Sequence, residues 1–253
     1  MYFINELKKR NPGMFWYGLL NFIAAVICVV LWQTTSISVN GINAFIKPLK
    51  FFISIGIFCW TIGWIMYYLQ MPSKVIAFNI MAIIVFTFES FVITWQASNG
   101  RLSHFNTTNS FYGLLFTLMG IAIVILTLWT AYIGYLFFRK KEWTIPKPYL
   151  WGIRLGILFF VLFAFEGGIM ASILRHTVGG DDGGKGLPLV NWSREHGDLR
   201  IAHFLGMHTL QLFPLFGYYI AGSSRSIIVF ALIYITLVVA VLVQALMGLP
   251  LFT

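Results

Sequence analysis

The chain has 253 residues, of which 59% are hydrophobic and only 10% are charged. A soluble domain carries roughly 25% charged residues, so no single water-exposed core buries this much apolar surface and the bilayer must act as solvent. The net charge of +9 does not point to nucleic acid, because the basic residues sit at the ends of apolar runs instead of gathering in one patch.

A membrane-crossing helix needs about 20 mostly apolar residues. Seven stretches qualify, over residues 14–35, 49–70, 75–96, 111–138, 150–173, 200–221 and 226–249. Turn signals separate them, among them Asn40 with Gly41, Pro72 with Ser73, Asn99 with Gly100, Pro146 with Pro148, and Gly222 with Ser223. The fourth stretch is long enough to tilt or to project from the membrane. No small-residue cleavage site follows the first, which is therefore read as a retained helix and not as a signal peptide. Cys28 and Cys59 lie inside apolar runs and read as small core hydrophobes. The expectation is an all-α protein, with one integral membrane domain over residues 1–253 built as a seven-helix transmembrane bundle.

Lys and Arg in short loops set orientation. With the N-terminus inside, ten of them fall on the cytoplasmic side and seven on the other. The clusters Lys8-Lys9-Arg10 and Arg139-Lys140-Lys141 abut helix ends and strengthen that bias. The N-terminus is expected inside and the C-terminus outside. All five histidines (His104, His176, His196, His203 and His208) then share the extracytoplasmic side.

The polar stretch from Arg175 to Gln211 holds four of these histidines and four of the eight acidic residues. It runs into a helix that carries His203, His208 and Gln211, with Asp198 placed as its N-cap. On a straight helix His203 and His208 point about 140° apart, at about 100° per residue. His208 shares a face with Gln211 and with Phe204. Pro214 removes a backbone donor below them. Of the two histidines, His208 is the expected inward-facing one, because Gln211 shares its face.

Two acids, Glu89 and Glu166, lie inside apolar helices, where a charge is costly unless it is paired, protonated or facing a cavity. They read as metal ligands, proton acceptors or substrate contacts, or as helix-to-helix hydrogen bonds that only hold the bundle. A second polar patch runs from Gln96 to Asn106 through Arg101, Ser103 and His104, and reads as a roof over the site or as a plain loop before a helix start near Asn109. Lys47 and Lys50 flank Pro48 at the mouth of the second helix, where they hold an anionic group or simply snorkel. The glycine cluster over residues 179–186 approaches the spacing of a phosphate-binding loop. It lacks the Ser or Thr that binds magnesium and the following helix, so it reads as a lid or a linker.

The patches Gln96 to Asn106, Gly186-Leu187-Pro188, Trp192-Ser193 and Gly197-Asp198-Leu199-Arg200 through His203, His208 and Gln211 resemble a group of multi-pass bacterial membrane proteins. That resemblance implies a bacterial inner membrane and no particular activity. In helix number the chain is also similar to the superfamily of alkaline ceramidases and adiponectin receptors, which hold zinc with three histidines and use an Asp and a Ser near the metal-bound water. Ser103, His104, Asp198, His203 and His208 are the same residue types. The spacing departs from that superfamily, because four residues separate His203 from His208 where the superfamily has three.

The leading expectation is a metal-dependent membrane enzyme acting on a lipid-like substrate from the extracytoplasmic face. His104, His203 and His208 would be the metal ligands, for zinc or iron. Glu166, Glu89 or Asp198 would be ligand or general base. Lys50, Gln96, Arg101, Asn106, Arg200 and Gln211 would bind an anionic or lipid-like ligand. The alternatives are a b-type haem electron-transfer protein, with one of the histidines as axial ligand, and a non-enzymatic transporter or small-ligand receptor.

Overall fold

The structure is a computed structural model and describes residues 2–183 and 186–252. Its α-helices are α1 (Tyr2–Arg10), α2 (Pro12–Thr34), α3 (Ile46–Met66), α4 (Pro72–Ser98), α5 (Ser110–Arg139), α6 (Lys147–Ile173), α7 (Leu199–Met207), α8 (Thr209–Tyr219) and α9 (Ser224–Leu246). Two short antiparallel pairs complete it, β1 (Ser38–Val39) with β2 (Ile42–Asn43) and β3 (Thr177–Val178) with β4 (Gly197–Asp198). Six of the helical stretches are long and apolar enough to cross a membrane, so this is an integral multi-pass membrane protein.

Local chemistry explains where the helices start and stop. Asn11 caps α2 by accepting from the Met14 N–H at 3.1 Å, and Pro12 follows at a position where no donor is needed. Asn40 and Gly41 both adopt left-handed backbone angles, which lets two residues turn the chain from β1 into β2. Asn109 accepts from the Tyr112 N–H at 2.9 Å at the start of α5. Ser223 and Ser226 form a reciprocal capping box at the start of α9.

The chain forms two compact units, Met1–Leu126 and Thr127–Thr253, with the boundary inside α5. In the first unit α2 packs on α3 through small residues. Gly18 leaves room for the Trp60 ring, whose indole N–H donates to the Phe15 carbonyl at 3.1 Å. Gly56 does the same for Phe22. Cys28 is a buried free thiol packed with Ala25 and Leu49, and Cys59 is likewise buried and free. The short helix α1 escapes the hydropathy pattern, because its apolar residues are too few to fill a membrane-length window. It ends in Arg10, whose guanidinium lies 3.9 Å from the Trp64 ring centre and pairs with Glu6 at 2.9 Å.

In the second unit α6 packs against α7 and α8. Gly152 and Gly156, four apart, bring α6 onto the backbone of Phe213 and Thr209. Phe213, Ile227 and Ala231 form one buried cluster, and Phe163, Ala202 and Val238 form another.

One expected helix is not continuous. The stretch over residues 200–221 is two helices, α7 and α8, meeting at His208. The carbonyls left by the break are satisfied by side chains. Leu205 O accepts from the Tyr234 hydroxyl at 3.0 Å, and Gly206 O accepts from Thr209 Oγ1 at 2.7 Å. Thr209 Oγ1 also reaches Gly156 O, at 3.2 Å. Pro214, inside α8, brings no N–H to the next turn.

Candidate functional site

The polar groups of the second unit are spread over α6, α7 and the loop before α7. Glu166 stands on α6 at 6% exposure, and α6 places it opposite His203 of α7. Glu166 Oε2 lies 3.0 Å from His203 Nδ1. Neither Glu166 oxygen nor that nitrogen makes an aligned hydrogen bond, so the pair is a close electrostatic contact with unmet hydrogen-bonding capacity. Gly167 permits this approach, since a Cβ there would stand 3.2 Å from His203 Cε1. The side chain of His203 is 28% exposed and that of Glu166 only 4%, so the imidazole is the accessible partner.

His208 has different neighbours. Its Nδ1 lies 3.1 Å from Gln211 Oε1, and its ring centre is 4.3 Å from that of Phe204. Both contacts follow the face-sharing read from the sequence. The expected roles of the two histidines change, however. His203 is the one that meets a buried acid from another helix, while His208 sits at the helix break among residues of its own segment. The divergence argument assumed a straight helix, and the break removes that assumption.

Asp198 is 1% exposed and heavily used. It caps α7 by accepting from the Arg200 N–H at 3.1 Å and accepts from the Ser193 N–H at 2.8 Å. Arg200 binds it with two nitrogens, at 2.9 and 2.6 Å, and donates to the Asn191 carbonyl at 2.6 Å. This bidentate pair fixes the loop to the start of α7. The geometry gives both residues a structural task that the sequence reading had not assigned to Arg200.

A further clamp went unread in the sequence. Asp182 accepts from the backbone N–H groups of His176 and Thr177 at 2.9 Å each, and its Oδ2 lies 2.8 Å from His176 Nδ1. Burial alone would raise the Asp182 carboxyl. The His176 ring, its charge and the two backbone donors outweigh burial and hold the carboxyl well below the ordinary carboxylate range. Nearby, Gly180 packs against the His196 ring, and Gly179 against Gly248. The described part of the glycine cluster is therefore anchored. The phosphate-loop spacing depends on Gly184 and Lys185, which lie outside the described residues.

The Asp182 clamp carries a pH expectation. A carboxyl depressed in the folded state contributes stability that is present above its unfolded value, about 3.9, and lost as pH falls through the depressed folded value. Amide protection factors at His176 and Thr177 should stay level from neutral pH down to about 4 and fall below it. Asp182→Asn should lower them already at neutral pH. Equal protection in the variant would show that the loop does not depend on this carboxylate.

In the first unit Glu89 is 2% exposed and Gln96 is 1% exposed, both on α4. They are seven residues apart and share a face. Lys47 lies within electrostatic reach of Glu89, while Lys50 is half-buried one turn further along α3. Glu89 Oε1 and Gln96 Oε1 have no hydrogen-bond partner. The loop after α4 is held internally. Arg101 hydrogen-bonds the Tyr112 hydroxyl, and Asn106 donates to the Leu102 carbonyl at 3.0 Å and accepts from Thr108 Oγ1 at 2.7 Å. His104 Nδ1 lies 3.1 Å from Ser103 Oγ, with its ring between Phe51 and Phe116.

The structure thus pairs His203 with Glu166, His208 with Gln211 and Asp198 with Arg200. Zinc or iron needs three or more converging protein ligands. Among the described residues no three His, Cys, Asp or Glu side chains gather in that way. No known protein family, curated protein or solved structure matches the chain.

Proposed function

We propose that the chain is a bacterial inner-membrane protein of the receptor class, which binds a small amine-bearing ligand at the Glu166–His203 pair. In this reading the broken α7–α8 segment is a seventh crossing, the N-terminus is inside, and the pair is reached from the extracytoplasmic side. The observation that carries the proposal is the buried Glu166 carboxylate, with neither oxygen hydrogen-bonded, beside a partly exposed imidazole at 3.0 Å. An intramembrane acid marks a functional site by default. Two acceptor oxygens without donors favour a ligand that brings donors, and a protonated amine brings three.

Passage through the membrane has less support. Asn79 and Thr87, the polar residues of the inner half of α4, are engaged with other helices. Asn79 Nδ2 donates to Asn11 Oδ1 at 2.8 Å, and Thr87 meets the Tyr17 hydroxyl at 3.0 Å. Both read as bundle contacts, which favours a binding protein over a conduit.

The test is thermal unfolding of the protein in nanodiscs against a panel of small amines, carboxylates and alcohols. An amine at 100 times its Kd should stabilise by about 2.7 kcal/mol, a rise in Tm of about 5 °C or more. Glu166→Gln should lose the response. A response confined to carboxylates, or one that survives Glu166→Gln, would overturn the proposal.

One observation favours a second reading. A carboxylate at Nδ1 is how an imidazole is oriented to ligate metal through its other nitrogen. A haem takes a single axial histidine from the protein in many cases, and His203 would supply it. A Soret band in the purified protein that His203→Ala abolishes would select this reading.

A further inference from the structure

The end of α8 and the start of α9 form an open groove of about 450 Å³ that belongs to no part of the Glu166–His203 site. Its walls are Phe216, Val229, Phe230 and Ile233, and its mouth carries Ser223, Arg225 and Ser226. Phe216 and Phe230 stack face to face with ring centres 3.9 Å apart, which ties α8 to α9 beside the groove. Val229 and Ile233 are exposed along the same groove.

Charge at the mouth is of one sign. Arg225 is exposed, and among the described residues no carboxylate pairs with it. It sits in the first turn of α9, a 23-residue helix whose N-terminus adds partial positive charge. Basic residues normally favour the other end of a helix, so Arg225 gains nothing from its own helix here. Tyr218 and Tyr219, both strongly exposed just before the groove, mark the depth at which a bilayer turns polar. A cation at that depth, above an apolar trough running into the hydrocarbon layer, matches one kind of molecule in charge and in polarity.

We infer that this groove holds an anionic phospholipid, with its phosphate on Arg225 and an acyl chain along Phe216, Val229, Phe230 and Ile233. Arg225 lines the same groove as these apolar side chains.

Native mass spectrometry of the purified full chain tests this, with dioleoylphosphatidylglycerol and dioleoylphosphatidylcholine offered in equal amounts. Wild type should retain the anionic lipid over the zwitterionic one by about fivefold, the worth of one cation near the headgroup layer. Arg225→Gln should erase that preference, Arg225→Lys should restore most of it, and Arg139→Gln, at another helix end, should leave it unchanged. Val229→Trp fills the trough without touching the charge and should reduce retention of both lipids. Equal retention of the two lipids by wild type overturns the inference. So does an undiminished preference in Arg225→Gln, or undiminished binding in Val229→Trp. Displacement of the lipid by an equal concentration of inorganic phosphate would make this a free-anion site, and the lipid assignment would fall.

Discussion

Replacing His203 with Ala should destabilise the protein by about 3 kcal/mol, because it takes the imidazole away from the buried Glu166 carboxylate. The loss should be smaller when the acid is neutralised too. In the double variant Glu166→Gln, His203→Ala no buried charge remains, so at least about 1 kcal/mol should return. Reversible unfolding in detergent, followed by tryptophan fluorescence, gives all four corners of the cycle. Additive effects would mean that the two groups do not sense each other at 3.0 Å, and the candidate site would lose its basis. The cycle separates a coupled pair from two isolated polar residues, which single substitutions cannot do.

Gly152→Leu should be strongly damaging to the second unit. A Cβ at Gly152 would overlap the Phe213 carbonyl oxygen and stand 3.0 Å from Pro214 Cα. These are backbone atoms and cannot rotate aside, so α6 and α8 must separate. Overpacking of this kind costs at least about 2 kcal/mol. It should also disturb the break at His208, since Thr209 donates to the Gly156 carbonyl one turn along the same contact. Gly120→Ala is the matched control. Nothing lies within 4 Å of a Cβ at Gly120, and Ala is the better helix former. Membrane-fraction yield and unfolding midpoint should fall for the first variant and hold or rise for the second. If Gly152→Leu matches wild type in both, the α6–α8 contact is not what holds the broken segment.

Six membrane-length helices were legible in the sequence to within a few residues. Their signal is length and composition, and a bilayer demands both from each segment independently of its neighbours. Caps and turns were legible for the same local reason. Asp198 as an N-cap, the Asn40-Gly41 turn and the start of α5 all rest on contacts within four residues. The pairing of His208 with Gln211 was readable because helix geometry alone puts them together.

Other features needed partners distant in sequence. Composition gives no warning that α7 and α8 are separate, because the carbonyls freed at the break are met by Thr209 and by Tyr234 of α9. The four-residue spacing of Gly152 and Gly156 was the available clue, and it shows only that something packs closely there. Helix α1 was missed because its apolar residues are too few for a hydropathy window.

The site divides in the same way. The sequence by itself determined that this protein lives in a membrane, that acids are buried within it, and that its histidines cluster in few segments. These are properties of residues and of the solvent they require. Only the tertiary structure decided that Glu166 meets His203 and not His208, and that Asp198 and Arg200 hold a loop. Those outcomes depend on which faces of different helices come together. That is set by side-chain packing between segments far apart in the chain, which no periodicity within a single segment encodes.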